Sequence, residues 1–294
     1  MQTFKFSGHE TFICKHFWPK KGVDFLLQGN SFNDEDAVVK LGVGKNMVSS
    51  IRFWLKALGL IDDEEKLTEF SAMIFNDDGF DPYIEDIGTI WLLHYNLITT
   101  GYASMYNIVF NQFLKGRTEF TRINLLNYLK RINDSLQLNF YNEHTVQSDI
   151  SVFIRNYSIP KLKSIKQNVE DEFSGLFNDL ELASNFERRD INNKGEEYFQ
   201  MERKKRPNLP KEIFLFTILN SIGSGTNISF NELVSGNNSV GNIFLLSRDG
   251  IYEKIEELLY SYDFISFSKT AGNLVLQINT HFELNQLLGL YYEK

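Results

Sequence analysis

NDEDAVVKLGVGKNMVSSIRFWLKALGLIDDEEKLTEF, residues 33–70, reads as two short helices about a glycine turn, followed by a hairpin. Asn33 or Asp34 can cap a helix over Glu35–Leu41, whose first-turn acids suit the positive end of the helix dipole. Gly42 and Gly44 then break the helix. A second helix is expected over Lys45–Leu58, where Met47, Ile51, Trp54, Leu55 and Leu58 recur at helical spacing, and Gly59 fits its C-terminal cap. Asp62–Glu65 reads as a loop or wing tip, and Lys66–Phe70 as a return strand. Helix, turn, helix and hairpin in this order predict a winged helix-turn-helix. Leu41-Gly-Val-Gly44-Lys45 superficially has the glycines and lysine of a phosphate loop, but it lacks the preceding strand and the spacing, so it belongs to the turn.

Upstream, residues 22–30 read as a short apolar helix ending at Gly29. Downstream, residues 81–130 are helical and apolar. Asp81-Pro82 supplies a cap and a first-turn proline. Ile87, Ile90, Trp91, Leu93, His94, Leu97 and Ile98 then cover most of a helix circumference, which predicts burial. Further helices are expected near Tyr102–Leu114, Thr121–Leu136 and Thr145–Tyr157, the last with Val146, Ile150, Phe153 and Tyr157 on one face. Residues 161–206 are polar and read as loops, short helices and a hinge. In 210–294 a helix over Pro210–Ser221, a short helix after Asn231 and a longer one over Ile251–Tyr262 precede two strands, Phe264–Ser268 and Leu274–Ile278, around the turn Ala271-Gly272-Asn273. The fold expected is mainly α: a winged helix-turn-helix over 1–78, a helical middle with a polar hinge over 79–206, and a winged-helix-like module with a β-hairpin over 207–294.

The chain has 294 residues, 43% hydrophobic and 23% charged, which makes it globular. Its one cysteine, Cys14, forbids an intramolecular disulfide and points to a reducing compartment. The start, MQTFKFSGHETF, has no signal-peptide core and no apolar run reaches membrane-span length, so a cytoplasmic protein is expected. Net charge is −8, yet residues 1–60 hold eight basic side chains against five acids; that segment is +3 and the remainder −11. A polyanion partner is therefore sought in the first sixty residues. The two second helices differ accordingly. The N-terminal one carries Lys45, Arg52 and Lys56 with no acid, and presents Asn46, Ser49 and Ser50, all able to meet bases or phosphates. The C-terminal one sets Glu253, Glu256 and Glu257 against Lys254, a face that phosphate repels. Duplex DNA is the expected partner of the first, and protein contact or packing the role of the second.

Catalytic signatures are sparse. His9, Cys14 and His16 are metal-ligand types, but H-x4-C-x-H does not match paired zinc patterns and no metal site is expected there. Glu85 and Asp86 precede the helix that carries His94; together they could serve acid–base or metal-assisted phosphodiester chemistry, with Mg2+ required only in that case. The alternative is a pair of dipole-favoured acids and a core histidine. Asp149 is either a capping acid or a third carboxylate.

Four stretches carry a family resemblance: FSGHETF at 6–12, LGVGKNMVSSIRFWLKALGLI at 41–61, DPYIEDIGTIWLLHYNL at 81–97 and DISVFIRNY at 149–157. Over almost its whole length the chain resembles the uncharacterised-domain family numbered 4007, whose members are SspB-like proteins. The resemblance implies a genome-defence setting beside sulfur-modification genes of the DNA-phosphorothioation type, partners from the same gene cluster, and DNA nicking as a proposed activity; it brings no catalytic motif. The reading is thus a DNA-binding protein of a DNA-modification or phage-defence system, with a homodimer among the arrangements expected. A metal-dependent DNA nickase and a non-enzymatic adaptor or transcriptional regulator are the alternatives.

Overall fold

The computed structural model describes residues 4–138, 140–158, 175–189, 194–223, 225–270, 273–279 and 284–293. It is mainly helical, with two small three-stranded antiparallel sheets. Two compact units are present, Met1–Glu202 and Arg203–Lys294.

In the first unit, α1 (Trp18–Leu27), α2 (Ala37–Leu41) and α3 (Lys45–Ala57) precede α4 (Glu69–Phe75), α5 (Ile87–Thr99) and α6 (Ser104–Ile108). Gly42 ends α2 in the left-handed conformation, with φ 63°, and so turns the chain into α3. The strand expected over Lys66–Phe70 is not formed. Ile61 and Leu67 make an isolated antiparallel bridge, and Thr68 then accepts the Ser71 N–H and starts α4. A side-chain cap together with the burial of Ile74 and Phe75 favours helix there. The helix expected over Tyr102–Leu114 is α6 followed by a π-helical turn, Val109–Phe113.

β1 (Glu119–Phe120), α7 (Arg122–Ser135) and α8 (Glu143–Tyr157) follow. Thr121 and Asn124 form a reciprocal capping box at the start of α7. Beyond a 3-10 turn, Asn178–Leu180, strands β2 (Ser184–Arg189) and β3 (Gly195–Gln200) form a hairpin that pairs with β1 in the order β1-β3-β2. This sheet corrects the reading of 161–206 as loops, short helices and a hinge, insofar as residues 175–189 and 194–206 are concerned; 159–174 and 190–193 lie outside the described residues. The strands carry a weak sequence pattern because their outer face is charged, while the inner face buries Phe120 and Phe199 as a ring pair 5.8 Å apart. Trp54 and Trp91 are 1% and 0% exposed, as their positions on apolar stripes require.

In the second unit, α9 (Lys211–Ile222), β4 (Asn227–Ser229), α10 (Phe230–Ser235), α11 (Val240–Ile243) and α12 (Arg248–Ser261) precede β5 (Ile265–Thr270), β6 (Asn273–Ile278) and α13 (Leu284–Tyr292). The sheet order is β4-β6-β5, so the expected hairpin gains a third strand. Its turn residues Ala271 and Gly272 lie outside the described residues. Arg203 clasps this unit by donating to the carbonyls of Val234 (2.9 Å) and Gly241 (2.6 Å) and to Asn242 Oδ1 (2.5 Å).

Candidate nucleic-acid interface

The first turn of α3 follows the two-glycine turn with no acid near its start. Lys45, Asn46 and Ser49 are exposed there. The remaining three expected contact residues are placed differently. Ser50 is fully buried and its hydroxyl donates to the His9 carbonyl at 3.0 Å, so it faces the core and is not presented. Arg52 Nε donates to Glu65 Oε1 at 2.6 Å, its Nη2 reaches the same oxygen, and its Nη1 reaches Asn33 Oδ1 at 3.2 Å. Lys56 lies 3.4 Å from that Glu65 oxygen and donates to the Asp63 carbonyl at 3.2 Å. One carboxylate in the segment read as a wing tip thus gathers both cations. Glu65 reaches them from a left-handed backbone, φ 66°, which spacing does not reveal.

Beside α3 runs the loop of the FSGHETF stretch. Ser7, Gly8, Glu10 and Thr11 all have positive φ. The loop is held from α8 by Asp149, 5% exposed, whose two oxygens accept the Ser7 N–H at 3.1 and 3.0 Å and whose Oδ1 accepts from His9 Nε2 at 3.0 Å. The buried His9 Nδ1 has no hydrogen-bond partner among the described residues. The His9 ring lies edge-on to Phe53 and roughly parallel to Trp54, both on α3. Arg155 Nη2 adds a bond to the Thr11 carbonyl at 2.6 Å. Asp149 is therefore a loop anchor. Nothing in its spacing linked it to a residue 140 positions earlier.

Asp86 is the N-cap of α5 and accepts the Gly88 N–H at 2.6 Å. Buried Asp81 accepts from the Glu85 and Asp86 N–H groups at 2.8 and 3.0 Å and from the Thr89 hydroxyl at 2.6 Å. Glu85 is exposed. His94 is fully buried; its Nδ1 meets the Tyr157 hydroxyl at 2.9 Å, and the rings of Trp91, Phe110, Tyr157 and Phe177 surround it. Eight residues at 1.5 Å rise separate Asp86 from His94 by about 12 Å along the axis. The structure does not bring the three groups together. Their placement is that of a helix cap and a core histidine.

Cys14 is fully buried, and burial pushes its thiol pKa well up, so it is a neutral core side chain. His16 packs edge-on to Phe17. Among the described residues no group of three or more His, Cys, Asp or Glu is placed to hold a metal ion. On α12 of the second unit, Glu253 pairs with Lys205 at 3.1 Å and Glu257 with Lys254 at 2.8 Å, while Glu256 and Tyr260 stay exposed. That face is acidic where α3 is basic.

The model of a family described as "protein of unknown function (DUF4007)" matches residues 6–292. No curated protein matches the chain. Two solved structures do. A magnesium-ion-bound SspB crystal structure has a TM-score of 0.82 at 24% identity over 98% of this chain and 88% of the other. A second SspB crystal structure has a TM-score of 0.80 at the same identity and coverage. The chain shares their fold.

Proposed function

Given that the chain belongs to the DUF4007 family, we propose that it is a cytoplasmic DNA-binding protein of a phosphorothioation-type modification or phage-defence system, working with sulfur-modification proteins and, as a dimer, with a second copy. The setting rests on the family resemblance and on the likeness to SspB. The DNA-binding part rests on one observation: α3 opens with Lys45, Asn46 and Ser49 exposed and no acid in its first turn. In this reading α2, the glycine turn and α3 work as a helix-turn-helix, and the start of α3 enters the major groove. Lys45 meets a phosphate, and Asn46 and Ser49 reach base edges or phosphates. Arg52 and Lys56 join only by exchanging Glu65 for phosphate.

One structural neighbour, SspB, is magnesium-ion-bound, which raises metal-dependent nicking as a second reading. Glu85, Asp86 and His94 do not fit such an ion. Asp86 caps α5, its neighbour Asp81 accepts from three donors of its own loop and helix, Glu85 points to solvent, and His94 is sealed among aromatic rings. Gel shifts of duplex DNA by the full chain, run beside plasmid relaxation with and without Mg2+, separate the readings. The proposal expects a shift at low salt that Lys45→Glu weakens, without relaxation. Absence of any shift at low salt sinks DNA binding and leaves the adaptor.

A further inference from the structure

A cleft of about 350 Å³ opens along α1 of the first unit, within the size range of small-ligand sites. Phe17, Lys20, Lys21, Asp24, Phe25 and Gln28 form one helical stripe along it. Lys40 and Leu41 from the end of α2, and Tyr83 from the loop before α5, complete it. Two of its aromatic rings face outward. Phe17 is 67% exposed and Tyr83 61% exposed, so both rings present a face to solvent at the edge of the cleft. Both are braced: His16 lies edge-on to Phe17 at 5.2 Å, and the Lys20 ammonium sits 5.7 Å from the Tyr83 ring centre.

The lining holds three ammonium groups and one carboxylate. Lys20 is tied to Asp24 at 2.8 Å and to the Phe75 carbonyl at 3.0 Å, with Asp77 at 3.8 Å. Lys40 pairs with Asp36 at 3.1 Å, with Asp34 at 4.0 Å. Lys21 donates to the Leu41 carbonyl at 3.0 Å, and an ammonium has three donors, so it keeps capacity for an anion. The Asp24 carboxylate and the Gln28 amide supply the acceptors and donors that base edges pair with. Exposed rings beside lysines form a platform for an unstacked base and its phosphate. Position adds to chemistry: Leu41 lines the cleft and Lys45 opens α3, so four residues, at most about 14 Å of chain, join the two. That span is about four nucleotide steps along a strand at 3.4 Å each.

We infer that the cleft is a nucleotide pocket, which receives one unstacked base with its phosphate from a single-stranded stretch of the DNA held at α3. The inference rests on the DNA-binding reading above but names a separate site and ligand. Anisotropy titrations of the full chain against a continuous duplex, the same duplex with a three-nucleotide gap, and a single-stranded oligonucleotide test it. The wild type should bind the gapped duplex roughly tenfold more tightly than the continuous one. Phe17→Ala and Tyr83→Ala, at exposed positions that do not disturb the core, should abolish that preference and leave continuous-duplex affinity unchanged. A 2-aminopurine in the gap should be quenched on binding by the wild type and not by these variants. Single-strand binding that needs Phe17 and Tyr83, with no duplex binding, supports the pocket and sinks the duplex reading. Equal wild-type affinity for gapped and continuous DNA overturns the pocket, as does a preference that survives both variants. Binding of no DNA at all overturns both readings. Displacement of the oligonucleotide by an acidic aromatic peptide at lower concentration likewise overturns the pocket and assigns the cleft to a protein partner.

Discussion

Asp149 ties the amino-terminal loop to α8, because its carboxylate is the acceptor for both the Ser7 N–H and the His9 ring. Replacing it by Ala strands two buried or half-buried donors, and each such loss costs about 1–3 kcal/mol. Asp149→Ala should therefore lower unfolding stability by about 2–6 kcal/mol in urea melts; an unchanged midpoint would show that the loop is anchored elsewhere. Gly8 carries the other half of the constraint. Its φ is 101°, and an added Cβ would lie 2.7 Å from Phe53 Cδ2. Gly8→Ala combines backbone strain of about 1–3 kcal/mol with a push against α3, and a thermal melt indistinguishable from wild type would contradict that geometry. None of this was legible beforehand. The sequence shows His9, Ser50 and Asp149 as three separate polar residues, and only the loop's left-handed backbone turns them toward one another.

The glycine turn and α3 were legible, because apolar residues at helical spacing and two glycines state where a helix starts and which face it buries. Trp54 illustrates this. Its stripe position predicts the 1% exposure found, and Trp54→Ala should cost about 3–5 kcal/mol. The return strand was illegible, since Leu67 alternates like a strand residue while the deciding feature, the Thr68 cap on the Ser71 N–H, is a local hydrogen bond competing with sheet pairing. Partner choice was illegible too. Arg52 and Lys56 look like free cations on a helix, and the structure gives both to Glu65. That pairing carries a prediction in the opposite direction from the usual charge swap: Glu65→Gln should strengthen duplex binding at low salt by releasing two cations further along the helix that Lys45 opens. Weaker or unchanged binding would mean that Arg52 and Lys56 never reach DNA. Asp86→Ala should remove the α5 cap at a cost of about 1 kcal/mol and leave any nicking by the protein untouched; loss of nicking in folded Asp86→Ala protein would restore a catalytic role to that residue.

Across the whole chain the charge is divided. The first sixty residues are positive within a protein of net charge −8, and the exposed acids of α12 belong to the second unit. A uniformly acidic protein is repelled by DNA, whereas a segregated one binds through the segment that carries the positive charge. The most direct test is the salt dependence of duplex affinity for the full chain and for Lys45→Gln. For the wild type, log K should fall linearly with log salt, as counterions are released from the phosphates that Lys45 and its neighbours neutralise. For Lys45→Gln the slope should be shallower by about one unit. Identical slopes, or no binding at low salt, would contradict the placement of DNA at the start of α3.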